Sequence, residues 1–250
     1  MFQAICKLRN SACGEDGVSA LTLKNPEFLP EIVKFIQEVW ITQKIPQRWT
    51  RTMMTSIPKT SAPMGPSNCR GISITNIASK VLTHLILARH VPAILPQQFG
   101  SIRARACSQA VHIVKSVIRS LRDARQSGVV LFVDVRKAFD SVARYCLPTI
   151  LEKYGFGPVA CELIHQLWQD EIVIVFPDKS TSVPFKPSRG IKQGCVLSPA
   201  IFNLCMDVVL ADLQRKMPGI RCYNPSTQTY HDIRFVAYVD DLVLFVDSAA

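Results

Sequence analysis

An α+β fold is predicted from three observations. Helical and extended patterns follow one another without a regular repeat, two extended runs flank a tight turn within Phe235–Val246, and five consecutive apolar residues entered through Gly128 mark a further strand at Val129–Val135. The composition is that of a folded protein. Of 250 residues, 48% are apolar and only 19% charged, which leaves enough surface to bury against the entropy of ordering the chain. The length suits one large domain or two small ones.

Ser19–Trp49 carries helical spacing in Ile32, Val33, Ile36, Val39 and Trp40, and an extended piece follows at Met53–Ile57. Lys59–Arg70, with Pro63, Gly65, Pro66 and Asn68, reads as a surface loop leading to a second extended piece at Ile72–Ile74. Ala78–Arg89, with the stripe Leu82, Leu85 and Ile86, and Ser108–Arg125, with Val111, Val114, Val117, Ile118 and Leu121, are helical. Tyr145–Gln169 reads as helix despite Pro148 and Pro158, and Ile172–Phe176 with Ser182–Phe185 as a hairpin. Ala200–Arg215 is a helix that Ser198 can cap and Pro199 can open.

Charge narrows the function. With 29 Lys+Arg against 19 Asp+Glu the net charge is +10, and the pI near 9.3 points to an anionic partner, either nucleic acid or an anionic membrane face. No apolar run reaches the ~20 residues that a membrane span needs. Met1–Asn10 lacks the apolar core of a secretory leader. The nine cysteines are scattered singly from Cys6 to Cys222 with no zinc spacing, so reduced thiols in an intracellular protein, nuclear or cytoplasmic, are expected. Between Arg103 and Arg125, six cations (Arg103, Arg105, Lys115, Arg119, Arg122, Arg125) stand against Asp123 alone, a surface suited to tracking phosphates or simply to facing solvent.

The most informative feature is acid in apolar strands. Asp134 ends Leu131-Phe132-Val133, and Asp240-Asp241 interrupt Ala237-Tyr238-Val239 and Leu242-Val243-Leu244-Phe245. A buried carboxylate without a partner costs several kcal/mol, so each needs a cation, hydrogen bonds or exposure at a turn. Asp240 and Asp241 alone read equally as the tip of a hairpin. Three carboxylates on neighbouring strands would form a hard-oxygen cluster for Mg²⁺, and two such ions about 4 Å apart serve in-line phosphoryl transfer. A basic protein with that site is a polymerase or a nuclease, and the spacing alone leaves both open.

The residues then resemble a known family. Phe132-Val133-Asp134-Val135-Arg136-Lys137-Ala138-Phe139-Asp140-Ser141-Val142 resembles the first catalytic motif of reverse transcriptases of non-LTR retrotransposons and group II introns. Arg189-Gly190-Ile191-Lys192-Gln193-Gly194 resembles their Gln-Gly motif, and Tyr238-Val239-Asp240-Asp241 their Tyr-x-Asp-Asp box. Ile57-Pro58-Lys59, Asn68-Cys69-Arg70-Gly71 and Gln98-Phe99-Gly100 with Arg103 follow the finger motifs in order.

The resemblance implies the fingers and palm of a right-hand polymerase, with an antiparallel palm sheet backed by helices. The fingers would occupy residues 1–105, the palm with its first Asp 106–144, a helix and hairpin 145–195, and the palm with the Asp-Asp hairpin 196–250. The sequence stops nine residues after Asp241, so the thumb is expected to be missing and the 250-residue chain alone weak or inactive. By resemblance, Asp134 and Asp240 ligate two Mg²⁺ ions (Mn²⁺ being the substitute), Asp241 lies beside them, and the Val135 carbonyl completes one shell. Lys59 and Arg70 would grip the triphosphate, Phe139 would exclude a 2′-hydroxyl, and Gln193 with Gly194 would approach nucleotide and template. Arg103, Arg105, Lys115, Arg119 and Arg122 are the candidate nucleic-acid contacts. The implied activity is RNA-directed DNA synthesis from dNTPs on an RNA template, using a DNA primer or nicked target DNA. The competing readings are a non-catalytic nucleic-acid-binding fragment and a group II intron maturase.

Overall fold

A computed structural model of the chain describes residues 1–61, 65, 68–90, 92–169, 171–224 and 228–247. Pro63 and Pro66 of the expected surface loop lie outside the described residues. In chain order the helices are α1 (Phe2–Cys6), α2 (Ala20–Lys24), α3 (Leu29–Thr42), α4 (Ile77–Arg89), α5 (Cys107–Asp123), α6 (Ala138–Ser141), α7 (Leu147–Lys153), α8 (Pro158–Trp168) and α9 (Ser198–Lys216). The strands are β1 (Arg51–Pro58), β2 (Cys69–Ile74), β3 (Gly128–Val133), β4 (Glu171–Val175), β5 (Ile220–Asn224), β6 (Thr229–Ile233), β7 (Phe235–Tyr238) and β8 (Asp241–Asp247). The mixture is α+β, as predicted. Two compact units emerge, each assembled from two stretches of chain: residues 1–92 with 139–198, and 93–138 with 199–250.

The first unit is mainly helical around a small sheet ordered β2-β1-β4. Ser19 opens α2 by accepting a hydrogen bond on its Oγ from Thr22 N–H at 3.1 Å. Ile36 and Val39 of α3 and Val81, Leu82 and Ile86 of α4 are buried, as the helical spacing requires. The single helix expected over Tyr145–Gln169 is instead two. Gly155 adopts φ +79°, and Pro158, which has no N–H to continue a ladder, starts α8 afresh with Gly157 as its N-cap. The hairpin expected over Ile172–Phe176 and Ser182–Phe185 forms: Val175 bridges Thr181 and Ile172 bridges Phe185, both antiparallel, and Ser182 N–H donates to the Ile174 carbonyl at 2.9 Å. The sequence pattern does not foresee that β4 also pairs in parallel with β1, Thr52 opposite Ile172.

The second unit is a three-stranded antiparallel sheet, order β3-β8-β7, with a helix on either face and a separate β5-β6 hairpin. Alternation along the strands sorts the side chains. Val236 and Phe245 pack with Ala110 and Val117 of α5 and with Ile220 and Cys222 of β5, whereas Phe235, Ala237 and Leu242 pack with Leu210 of α9. On α5 the buried stripe runs through Ala110, Val114, Val117 and Leu121, so Val111 and Ile118, expected in the core, are exposed instead. β3 departs from the buried strand that its apolar run suggests. It is the edge of the sheet, and Val129, Leu131 and Phe132 are 53%, 50% and 72% exposed.

Two local expectations need correction. α9 begins at Ser198 itself, whose buried Oγ has no hydrogen-bond partner among the described residues, so that side chain does not act as the cap. β3 ends at Val133, one residue short of Asp134. All nine cysteines are free thiols. Among the described residues no helix is long and apolar enough to cross a membrane.

Candidate active site

The three acids all belong to the second unit and gather at one end of its sheet. β3 pairs with β8 so that Val133 faces Leu242; continuing that register by one residue sets Asp134 level with Asp241. Tyr238 pairs with Asp241 across the β7-β8 turn, which leaves Val239 and Asp240 as the turn itself. Asp134 and Asp241 are exposed and Asp240 is half-buried. No Lys, Arg or His among the described residues forms an ion pair with any of the three. Nor is any group of three Asp, Glu, His or Cys residues among them drawn close enough to hold a metal ion. The donor chemistry still fits a divalent cation, since carboxylate oxygens without a neighbouring protein cation are the hard ligands that Mg²⁺ takes. Val135, whose carbonyl is a further oxygen donor of that kind, follows directly and is half-buried.

The remaining candidates for nucleotide contact lie in the first unit. β1 and β2 pair with Ile57 opposite Arg70 and Pro58 opposite Cys69, and the Lys59 N–H donates to the Asn68 carbonyl at 2.8 Å. Because side chains alternate along a strand, Lys59 and Arg70 share a face at the far end of this hairpin, and both are exposed. Phe139 is half-buried on α6, and its carbonyl accepts from Ile191 N–H at 2.9 Å. Gln193 donates from Nε2 to Asp140 Oδ1 at 3.3 Å, and its carbonyl accepts from Ser73 N–H at 2.6 Å. Gly194 stands at φ +104°, where an added Cβ would lie 2.7 Å from the Ser73 carbonyl oxygen, so this position admits only glycine without a shift of β2.

Of the proposed nucleic-acid contacts, Arg103, Lys115, Arg119 and Arg122 are exposed. Lys115, Arg119 and Arg122, spaced four and three apart, share one face of α5. Arg105 is used otherwise. Its guanidinium is half-buried and donates from one Nη to the carbonyls of Leu95 at 2.8 Å and Gln98 at 2.5 Å.

Three polar residues to which the sequence reading gives no role are buried. Lys192, beside Gln193, donates from Nζ to Leu167 O at 2.7 Å and Thr52 Oγ1 at 3.1 Å, and so ties the Gln-Gly loop to α8 and β1. Asp207 of α9 accepts from Leu95 N–H at 2.8 Å, and Asn203 donates to the Gly100 carbonyl at 2.7 Å. The one sequence signal is a charged or amide side chain inside an otherwise apolar helix or a Gly-rich turn.

An antiparallel sheet with helices on both faces and carboxylates at one end, in a chain that also carries a cation-bearing hairpin, has the architecture of a polymerase palm and fingers. The chain belongs to the reverse transcriptase (RNA-dependent DNA polymerase) family, whose model matches residues 57–250. It is 31% identical to the Pol polyprotein of the type-1 retrotransposable element R2 of Popillia japonica over 98% of its length, and 28% identical over 96% to that of a type-2 R2 element of Drosophila melanogaster. It spans 34% and 22% of those two proteins. Among solved structures it shares its fold with apo telomerase from Candida tropicalis truncated from the C-terminal domain, at TM-score 0.54 and 11% identity, over 86% of this chain and 49% of that one. The retrotransposon kinship favours the non-LTR reading over a group II intron maturase. Reverse transcriptases generally use divalent metal ions.

Proposed function

We propose that this chain is the part of an R2-like element protein that copies RNA into DNA, joining a dNTP to a primer 3′-hydroxyl with release of pyrophosphate. The observation that carries the reading is the set of three carboxylates at one sheet end with no cation among the described residues in an ion pair with them, in a chain whose net charge is +10. Asp134 and Asp240 would hold two Mg²⁺ ions, with Asp241 beside them and the Val135 carbonyl as a further oxygen. When bound, Mg²⁺ makes the primer hydroxyl easier to deprotonate and balances charge on the leaving pyrophosphate.

The chain's own residues do the rest. Arg70 offers the triphosphate a planar fork and Lys59 a flexible point charge. Phe139 sets a ring against the sugar of the incoming nucleotide and so excludes a 2′-hydroxyl. Gln193 makes a polar contact with nucleotide or template, while Gly194, having no side chain, lets the backbone approach. Arg103, Lys115, Arg119 and Arg122 follow the backbone of the template and primer. The substrates are an RNA template, a DNA primer or nicked target DNA, and dNTPs, and work on chromosomal DNA calls for entry to the nucleus.

The test is primer extension on an RNA template with dNTPs and Mg²⁺ by the protein carrying this chain. Asp240→Ala is expected to reduce extension at least about a thousandfold, the loss of several kcal/mol of charge stabilisation. Extension by Asp240→Ala at the unmodified rate overturns the assignment.

A further inference from the structure

The turn that carries Asp240 contains a backbone conformation that its residue should resist. Val239 stands at φ +59°, in the left-handed region that a β-branched side chain rarely enters. Such a conformation persists only where its surroundings impose it. Here they do so through one side chain. Gln98 is fully buried, and its Oε1 accepts from Val239 N–H and from Gly100 N–H, each at 3.0 Å, while its Nε2 donates to the Val239 carbonyl at 3.3 Å. The carboxamide therefore satisfies both backbone polar groups of the strained residue, immediately before Asp240.

Gln98 is itself fixed from several sides. The segment around it runs parallel to β7, with Ala237 N–H donating to Gln97 O at 2.9 Å and Phe99 N–H donating to Ala237 O at 2.8 Å. The Arg105 guanidinium holds the Gln98 carbonyl, Asp207 holds the Leu95 N–H, and Asn203 holds the Gly100 carbonyl. Gly100 comes so near the turn that an added Cβ would lie 2.3 Å from the Val239 backbone nitrogen, so no other residue fits there without displacing the turn. The splint is thus anchored to α9 and pressed against the residue next to Asp240.

We infer that Gln98 is a positioning residue: its carboxamide holds Val239 in the left-handed conformation and so fixes where Asp240 is presented, without itself touching substrate. The inference rests on the proposed role of Asp240, and its test has a readout independent of catalysis. In Gln98→Met, which keeps the length but loses the hydrogen bonds, amide exchange in the peptide spanning β7, the turn and the start of β8 is expected to quicken by about five- to tenfold, the worth of one hydrogen bond. Exchange across α8 stays at the unmodified rate. The kcat of primer extension falls on the order of 10- to 100-fold, as for an ångström-scale misplacement, with dNTP KM and primer–template affinity unchanged.

Gln98→Glu, which as the neutral acid keeps an acceptor oxygen for both N–H groups and an O–H donor for the Val239 carbonyl, is expected to lose less than Gln98→Met. Val239→Gly, which removes the resistance to positive φ, is expected to restore part of the rate lost in Gln98→Met. Unchanged turn exchange in Gln98→Met overturns the inference, as does a Val239→Gly substitution that restores nothing. Should Gln98→Met fail to accumulate, Gln98→Glu with and without Val239→Gly makes the same comparison. Full extension by Asp240→Ala would instead overturn the catalytic reading and leave the exchange result standing.

Discussion

The far end of the β1-β2 hairpin and the β7-β8 turn present charge in opposite ways. On the hairpin, Lys59 and Arg70 stand exposed on a regular ladder, two long side chains that reach by their own flexibility. On the turn, Asp240 has a short side chain on a backbone that Gln98, Gly100 and Asn203 hold from behind. The contrast teaches where precision has to be built. On the proposed roles, a cation that meets a mobile, highly charged triphosphate would supply accuracy through rotamers, whereas a carboxylate that has to share a metal with another strand would inherit its position from the main chain.

Loss of Asp240 strikes kcat hardest, whereas Arg70→Ala is expected to raise the dNTP KM about 10- to 100-fold, the worth of a charge-assisted hydrogen bond, and to leave kcat within a fewfold. A steady-state titration of dNTP checks it, and a fall in kcat alone would mean that the hairpin is as exacting as the turn. Phe139→Ala sharpens the picture from the nucleotide side. Its rNTP-to-dNTP incorporation ratio is expected to rise about tenfold in competition assays, the scale of a single pocket contact. An unchanged ratio removes the ring from sugar selection.

Smaller effects concern the outer surfaces. If α5 tracks phosphates, replacing Arg119 and Arg122 together lowers the slope of log affinity against log salt by roughly 1.8 for a duplex. A slope equal to that of the unmodified protein would return that face to solvent. The smallest effect is one of pH. Burial first, and Lys7 second, hold His84 of α4 below its ordinary value of 6.5. The unfolded chain therefore takes up the proton first on acidification, so the stability linked to His84 is complete above 6.5 and is lost as pH falls through that value and on through the folded one. Denaturant titrations of His84→Gln are expected to show a shallower acid limb, and an identical limb would mean that other groups set it.

Much of this was legible in the chain, and what was not has a physical reason. The turn at Val239-Asp240 and the helices at Ala78–Arg89 and Ala200–Arg215 are local patterns, and the structure follows them closely. The parallel pairing of β4 with β1 depends on residues 120 apart, which no periodicity encodes. β3 reads as buried from its apolar run, yet burial depends on which strand becomes an edge. Within the candidate site, Asp134, Gln193 and Asp240 stand out because acid or amide in an apolar or Gly-rich context is conspicuous. Gln98 and Arg105 are visible in the sequence as part of a motif and as a surface cation, but their roles are not, because both act on backbone atoms. Arg105 reads as surface charge, whereas its guanidinium closes on two carbonyls.

The interleaving of the two units has a consequence for biosynthesis. Neither unit is continuous: the first needs residues 139–198 to join residues 1–92, and the second needs residues 199 onward to join 93–138. On the ribosome, β1 therefore emerges long before β4, its parallel neighbour. At ordinary elongation rates the 106 residues from Ala93 to Ser198 take roughly 5–20 s to appear, for most of which the edge of β1 that pairs with β4 stays unpaired. The first unit is therefore complete only once the Gln-Gly loop has emerged.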